Sequence, residues 1–187
     1  MRVNYRYIRP LTVLYARSMG PYVTSAPEAW QRLNRWLEQH NARRAAKMGY
    51  GIFRDNPTVT EPDLIRYDAC VGLIGDLDAD PEAGIGRQTL PGGAYAVHVH
   101  VGSYDEIGRI FSSLHRDLVP RRGLSVDYER PFVAIYLNDP MLTREVHRRT
   151  ELCVPVIPIR MPLSGNDNVD EDAAIRIPDG SLAGFKN

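Results

Sequence analysis

Residues 51–73, GIFRDNPTVTEPDLIRYDACVGL, align without a gap on residues 134–156, AIYLNDPMLTREVHRRTELCVPV. Six of the 23 positions are identical at a shift of 83: Ile52/Ile135, Pro57/Pro140, Thr60/Thr143, Arg66/Arg149, Cys70/Cys153 and Val71/Val154. Phe53 meets Tyr136, and Asp68 meets Glu151. Chance alone leaves about one or two identities over such a stretch, so an internal repeat is the first organising fact. Upstream, Gly20-Pro21-Tyr22 meets Gly102-Ser103-Tyr104 at a shift of 82.

Outward from this block, each half reads in the same order. Residues 11–17 (LTVLYAR) predict a strand, and residues 26–39 a helix with Ala29, Trp30, Leu33, Trp36 and Leu37 on one face. Ser25 before Pro27 reads as its start. Residues 50–54 and 66–74 predict two more strands. In the second half, residues 94–101 predict a strand, 105–118 a helix with Ile107, Ile110, Phe111 and Leu114 inward, and 132–137 and 149–156 two strands. The expected fold is α+β, a tandem pseudo-twofold repeat of β-α-β-β units with a ligand groove between the halves. Residues 1–160 form one domain: repeat one 1–75, an acidic linker 76–84 and repeat two 85–160. The Pro-, Gly- and Asp-rich residues 161–187 read as an irregular tail.

Composition narrows the function. Lys plus Arg and Asp plus Glu number 23 each, so the basic excess that phosphate neutralisation calls for is missing and direct nucleic-acid binding is not expected. The apolar runs are too short for a membrane span, and the first twenty residues lack the charged start, long apolar stretch and small-residue cleavage site expected of a signal peptide. Two cysteines, Cys70 and Cys153, offer no disulfide framework and fit a cytoplasmic location.

Several motifs carry a resemblance. They are Arg17-x-x-Gly20-Pro21-Tyr22, Arg66-Tyr67-Asp68-Ala69-Cys70-Val71, Leu90-Pro91-Gly92-Gly93-x-Tyr95-Ala96-Val97, His100-x-Gly102-x-Tyr104, Ile135-Tyr136-Leu137-Asn138-Asp139-Pro140, and Glu151-Leu152-Cys153-Val154-Pro155-Val156. Together, over residues 3–158, the chain resembles the GyrI-like small-molecule-binding domain. The resemblance implies the effector-binding-domain fold and a hydrophobic pocket for lipophilic, often cationic, small molecules, met by an acidic residue. The family includes gyrase-inhibitory proteins, effector-binding domains of AraC-type and MerR-type transcription regulators, and hydrolases of cyclopropane-bearing toxins. With no helix-turn-helix region recognisable, the chain looks like a stand-alone member, monomer or homodimer. It is expected to sequester or sense a small-molecule ligand. The alternatives are a protein-binding inhibitor of DNA gyrase, using the Leu90-to-Val97 edge, and a hydrolase.

Alternation in residues 151–156 sets Leu152, Val154 and Val156 against Glu151, Cys153 and Pro155; residues 68–73 behave alike. If the apolar triplets face the helices, Glu151, Asp68, Cys153 and Cys70 point to the groove, where a carboxylate attracts an organic cation with little screening. Tyr136, Phe53, Tyr95, Tyr104 and Tyr15 supply flat walls, whereas Trp30 and Trp36 read as helix core. His98 and His100 share a strand face, but no third ligand has metal-site spacing, so a packed pair is the expectation and no metal or cofactor is called for. No activated nucleophile is recognisable. A Glu beside a Tyr can activate water on a strained electrophile, a chemistry the residues permit without demanding.

Overall fold

The protein is described by a computed structural model covering residues 1–73, 77–119 and 123–159. The expected tail, 161–187, and part of the linker lie outside the described residues. In chain order the elements are β1 (Asn4–Ile8), β2 (Leu11–Met19), α1 (Tyr22–Gln39), β3 (Ala46–Phe53), β4 (Arg66–Leu73), β5 (Ile85–Leu90), β6 (Gly93–Val101), α2 (Ile107–Ser113), β7 (Leu124–Val126), β8 (Phe132–Tyr136) and β9 (Arg149–Pro158). This is an α+β fold dominated by one antiparallel sheet.

The sheet runs β1-β6-β9-β8-β3-β4-β2-β5, with β7 added on β9. Its middle is the β3–β8 ladder, where Gly49 pairs with Tyr136, Gly51 with Ala134 and Phe53 with Phe132. Both helices lie on one face of this continuous sheet. Under α1 sit Leu14, Ala16, Tyr67, Ala69 and Val71; under α2 sit Ala96, Ala134, Leu152, Val154 and Val156. Leu152, Val154 and Val156, and likewise Ala69 and Val71, therefore do face the helices as expected. A third cluster, with Ile52, Cys70, Val133, Ile135 and Cys153, fills the opposite face. Among the described residues no helix is long and apolar enough to cross a membrane.

Several boundaries differ from expectation for physical reasons. β1, β5 and β7 were not anticipated. β1 (NYRYI) and β5 (IGRQTL) lack a clean apolar alternation, and pairing to β6 and β2 holds them extended. α1 begins at Tyr22, one turn before the expected start. Pro27 lies inside it, Pro21 precedes it, and the Pro21 carbonyl accepts from the amides of Thr24 and Ser25. Ser25 is no cap: its hydroxyl is buried within the helix. The expected helix 105–118 is α-helical only at Ile107–Ser113, tightened before by a 3₁₀ turn at Tyr104–Glu106 and widened after into a π turn at Leu114–Leu118.

Candidate functional site: an aromatic cavity between the two helices

Where α1 and α2 part over the β3–β8 ladder, a cavity of about 1200 Å³ opens. Its floor is low because β3 presents glycine there. Gly49, Gly51 and Phe53 point to the helix face, as alternation requires, while Tyr50 and Ile52 point away. A Cβ on Gly49 would lie 2.9 Å from the Trp30 ring; one on Gly51 would collide with the Tyr67 hydroxyl and lie 2.8 Å from that of Tyr136. The missing side chains make room for these rings.

The walls are aromatic and come from both halves. Trp30 of α1 meets Tyr136 of β8 edge-on at 5.5 Å, and Tyr136 meets Tyr104, just before α2, at 5.3 Å. Phe53 of β3 meets Phe111 of α2 at 5.1 Å and Tyr22 of α1 at 4.9 Å. Edge-to-face contacts of this kind fix ring orientation as well as burying area. A polar thread runs through them. The Trp30 indole N–H donates to the Tyr67 hydroxyl at 3.0 Å, which lies 3.1 Å from the Tyr136 hydroxyl. Burial pushes the Tyr136 phenol up to about 12 and Tyr67 well above its ordinary value, so both keep their protons at neutral pH.

The charges around the cavity are mostly spoken for. Asp55 accepts from both Nε and Nη2 of Arg66, and these bonds hold its carboxyl below the usual range against a smaller opposing effect of burial. Arg54 is bonded to Asp68, and Arg130 to Asp127 at 2.6 Å. Among the described residues, the lining carboxylates Asp105 and Asp139 and the lining guanidinium of Arg43 have no ion-pair partner.

Of the candidate binding residues, Phe53, Tyr104 and Tyr136 line this cavity. Asp68, Glu151, Cys153, Tyr15 and Tyr95 do not; they occupy the sheet's other face. The expected alternation holds, but the cavity opens on the helix side, because the β3–β8 ladder fuses the halves into one sheet and the open space lies between the helices. Asp68 is fully buried, accepting from Arg17 at 2.6 and 3.0 Å, Arg54 at 2.6 Å and Gln88 at 3.0 Å. Glu151 pairs with Arg6. Burial pushes the Cys153 thiol up to about 12 and the Cys70 thiol further. Tyr95 lies beneath the Arg130 guanidinium and donates to the Pro91 carbonyl, while Tyr15 sits beside Arg17. His98 and His100 each set a ring nitrogen 2.8 Å from a backbone carbonyl, of Arg2 and Ser103 respectively.

Sequence reasoning missed three parts of the site. Trp30, read as core beside Trp36, does pack partly buried against that core but also lines the cavity, whereas Trp36 is buried and donates to Asp80. Tyr67 supplies the buried hydroxyl. Gly49 lines the floor and Gly51 leaves room for the Tyr67 and Tyr136 hydroxyls, and the alternation of both with Tyr50 and Ile52 was the available signal.

Comparison with known proteins follows the same lines. The chain is 27% identical over 124 residues to DNA gyrase inhibitor 2 of Dickeya dadantii (strain 3937), covering 66% of this chain and 77% of that protein. In fold it is similar to the EcmrR C-terminal domain, with a TM-score of 0.66 and 14% identity over 84% of this chain and 98% of that domain. Against the EcmrR chain in its DNA complex the match spans only 57% of that chain, at a TM-score of 0.65. SAV2435 bound to tetraphenylphosphonium is similar at a TM-score of 0.55 and 14% identity, over 84% of this chain and 94% of that one. With residues 1–157 matching the family as a whole, the chain belongs to the GyrI-like small molecule binding domain family.

Proposed function

We propose that the chain binds lipophilic organic cations in the cavity between α1 and α2, sequestering or sensing them. The aromatic enclosure carries this reading. Ring faces attract a cation by about 2 kcal/mol each once water is displaced, and burial of flat apolar surface supplies the rest. Among the described residues, the lining carboxylates Asp105 and Asp139 add negative charge that no ion pair answers, against one unpaired guanidinium, that of Arg43. The fold neighbour SAV2435, bound to tetraphenylphosphonium, suggests a probe. Titration of that cation by calorimetry is expected to give one site. Trp30→Ala should weaken it at least tenfold, on the order of one lost cation–π wall. Glu151→Gln, on the other face, should leave it unchanged. The reverse pattern would move the site to the acid-bearing face and sink this reading.

We also infer that the two halves are copies of one β-α-β-β unit, and strand register supports it. Moving β2 by 82 and β4 by 83 residues turns the observed pair Arg17↔Asp68 into Val99↔Glu151, the pair found between β6 and β9. Moving β3 and β4 by 83 turns Ile52↔Asp68 into Ile135↔Glu151, found between β8 and β9. At the central ladder Gly51 pairs with Ala134, its own aligned equivalent.

A second reading, inhibition of DNA gyrase, draws on the names of relatives, the Dickeya protein among them. A supercoiling assay with excess protein tests it, and undiminished supercoiling removes it.

A further inference from the structure

The polar thread at the cavity floor has a direction. An indole N–H donates and cannot accept, so Trp30 gives its hydrogen to the Tyr67 oxygen. Tyr67 is fully buried, and among the described residues its hydroxyl has two hydrogen-bond neighbours, Trp30 and Tyr136. A buried hydroxyl hydrogen without an acceptor is costly. Trp30 offers no acceptor, so the Tyr67 hydrogen goes to the Tyr136 oxygen. That leaves the hydroxyl hydrogen of Tyr136 with no acceptor among the described residues. Unlike Tyr67, Tyr136 lines the cavity. Two donors in series behind it also polarise its O–H bond.

We propose that Tyr136 is the polar anchor of the cavity and that it donates, so that the preferred ligand carries a hydrogen-bond acceptor, such as a carbonyl oxygen, on a flat aromatic frame. This rests on the cavity being the ligand site. Positive charge on such a ligand lies over the ring faces and away from the hydroxyl, whose outward end is its hydrogen. Gly51 maintains the arrangement, since a methyl there would enter the space held by both phenol oxygens.

The test compares xanthone, which has the carbonyl, with xanthene, which lacks it, and adds tetraphenylphosphonium as a cation without an acceptor. Each is titrated into the unaltered protein and into Tyr136→Phe. The ratio of xanthone to xanthene affinity is expected to fall by about three- to tenfold in the variant, the worth of one neutral hydrogen bond. Tetraphenylphosphonium affinity should stay within about twofold, because no hydrogen bond is lost to it. Both affinities in the ratio come from the same preparation, so incomplete folding of the variant cancels. An unchanged ratio with tetraphenylphosphonium still bound overturns the donor assignment and leaves the cavity reading standing. Failure of all three compounds to bind the unaltered protein overturns both.

Discussion

Asp68 is a carboxylate with no exposed surface, in a sheet face filled by apolar side chains. Burial alone would raise its pKa. Hydrogen bonds from Arg17, the charge and hydrogen bond of Arg54, and the amide of Gln88 overcome that and leave it below the ordinary value. The folded state therefore binds its proton less tightly than the unfolded chain, where the pKa is about 3.9. The resulting stabilisation is complete above that value and is lost as pH falls through it towards the lower folded pKa. Urea unfolding is expected to show a midpoint that drops on acidification below about pH 4, with a shallower drop in Asp68→Asn. At neutral pH that variant should lose about 3 kcal/mol, because two guanidiniums are left without their buried partner. Equal acid sensitivity in the two proteins would mean other carboxylates carry the effect. Glu151, aligned with Asp68, has Val99 where Asp68 has Arg17 across the ladder, and it pairs with Arg6 instead. Matching residue types in the two halves thus acquired different surroundings.

At the scale of elements, β3 does most to shape the cavity. Its helix-facing positions are Gly49, Gly51 and Phe53: two vacancies, then one ring that touches both helix layers. Gly51→Ala forces a methyl against two phenol oxygens anchored by buried rings, so the neighbours cannot simply swing aside. The expected cost is about 1–3 kcal/mol, typical of overpacking. It should be read as a lowered melting temperature together with weaker tetraphenylphosphonium binding. A melting temperature equal to that of the unaltered protein would show that Tyr67 and Tyr136 part freely. α1 and α2 differ in kind: α1 is a continuous 18-residue helix, α2 only seven residues with a π turn after it. Their inward faces were nonetheless readable, because Leu33 and Leu37, like Ile110 and Leu114, recur at the helical period.

Across the whole molecule, strand pairing ties the first part of the chain to the second. β1 pairs with β6, and β5 with β2, so each sheet edge is closed by a strand from far along the chain. Cutting within residues 76–84 gives fragments 1–75 and 85–187. The first holds β1 without its partner, and the second holds β5 without its own; both expose the central ladder. Neither fragment alone is expected to unfold cooperatively in urea, and mixing them should restore one transition and tetraphenylphosphonium binding. A cooperative transition in either fragment would show that half the sheet suffices for a core.

Side-chain period settled which residues share a face, and aligned spacing settled that residues 51–73 match 134–156; both are local properties that a single chain displays. So Phe53, Tyr104 and Tyr136 were legible as candidate walls, and Asp68 and Glu151 as lying opposite the helix-facing triplets. Which face would hold the open space was not legible. Alternation states that two side chains oppose each other but is indifferent to what packs on either side. That outcome depended on β3 joining β8, through pairs about eighty positions apart, and on two helices diverging above them. Pairing between separate strands likewise hid the arginines that claim the acids, and the hydroxyl of Tyr67 that turns Tyr136 into a donor.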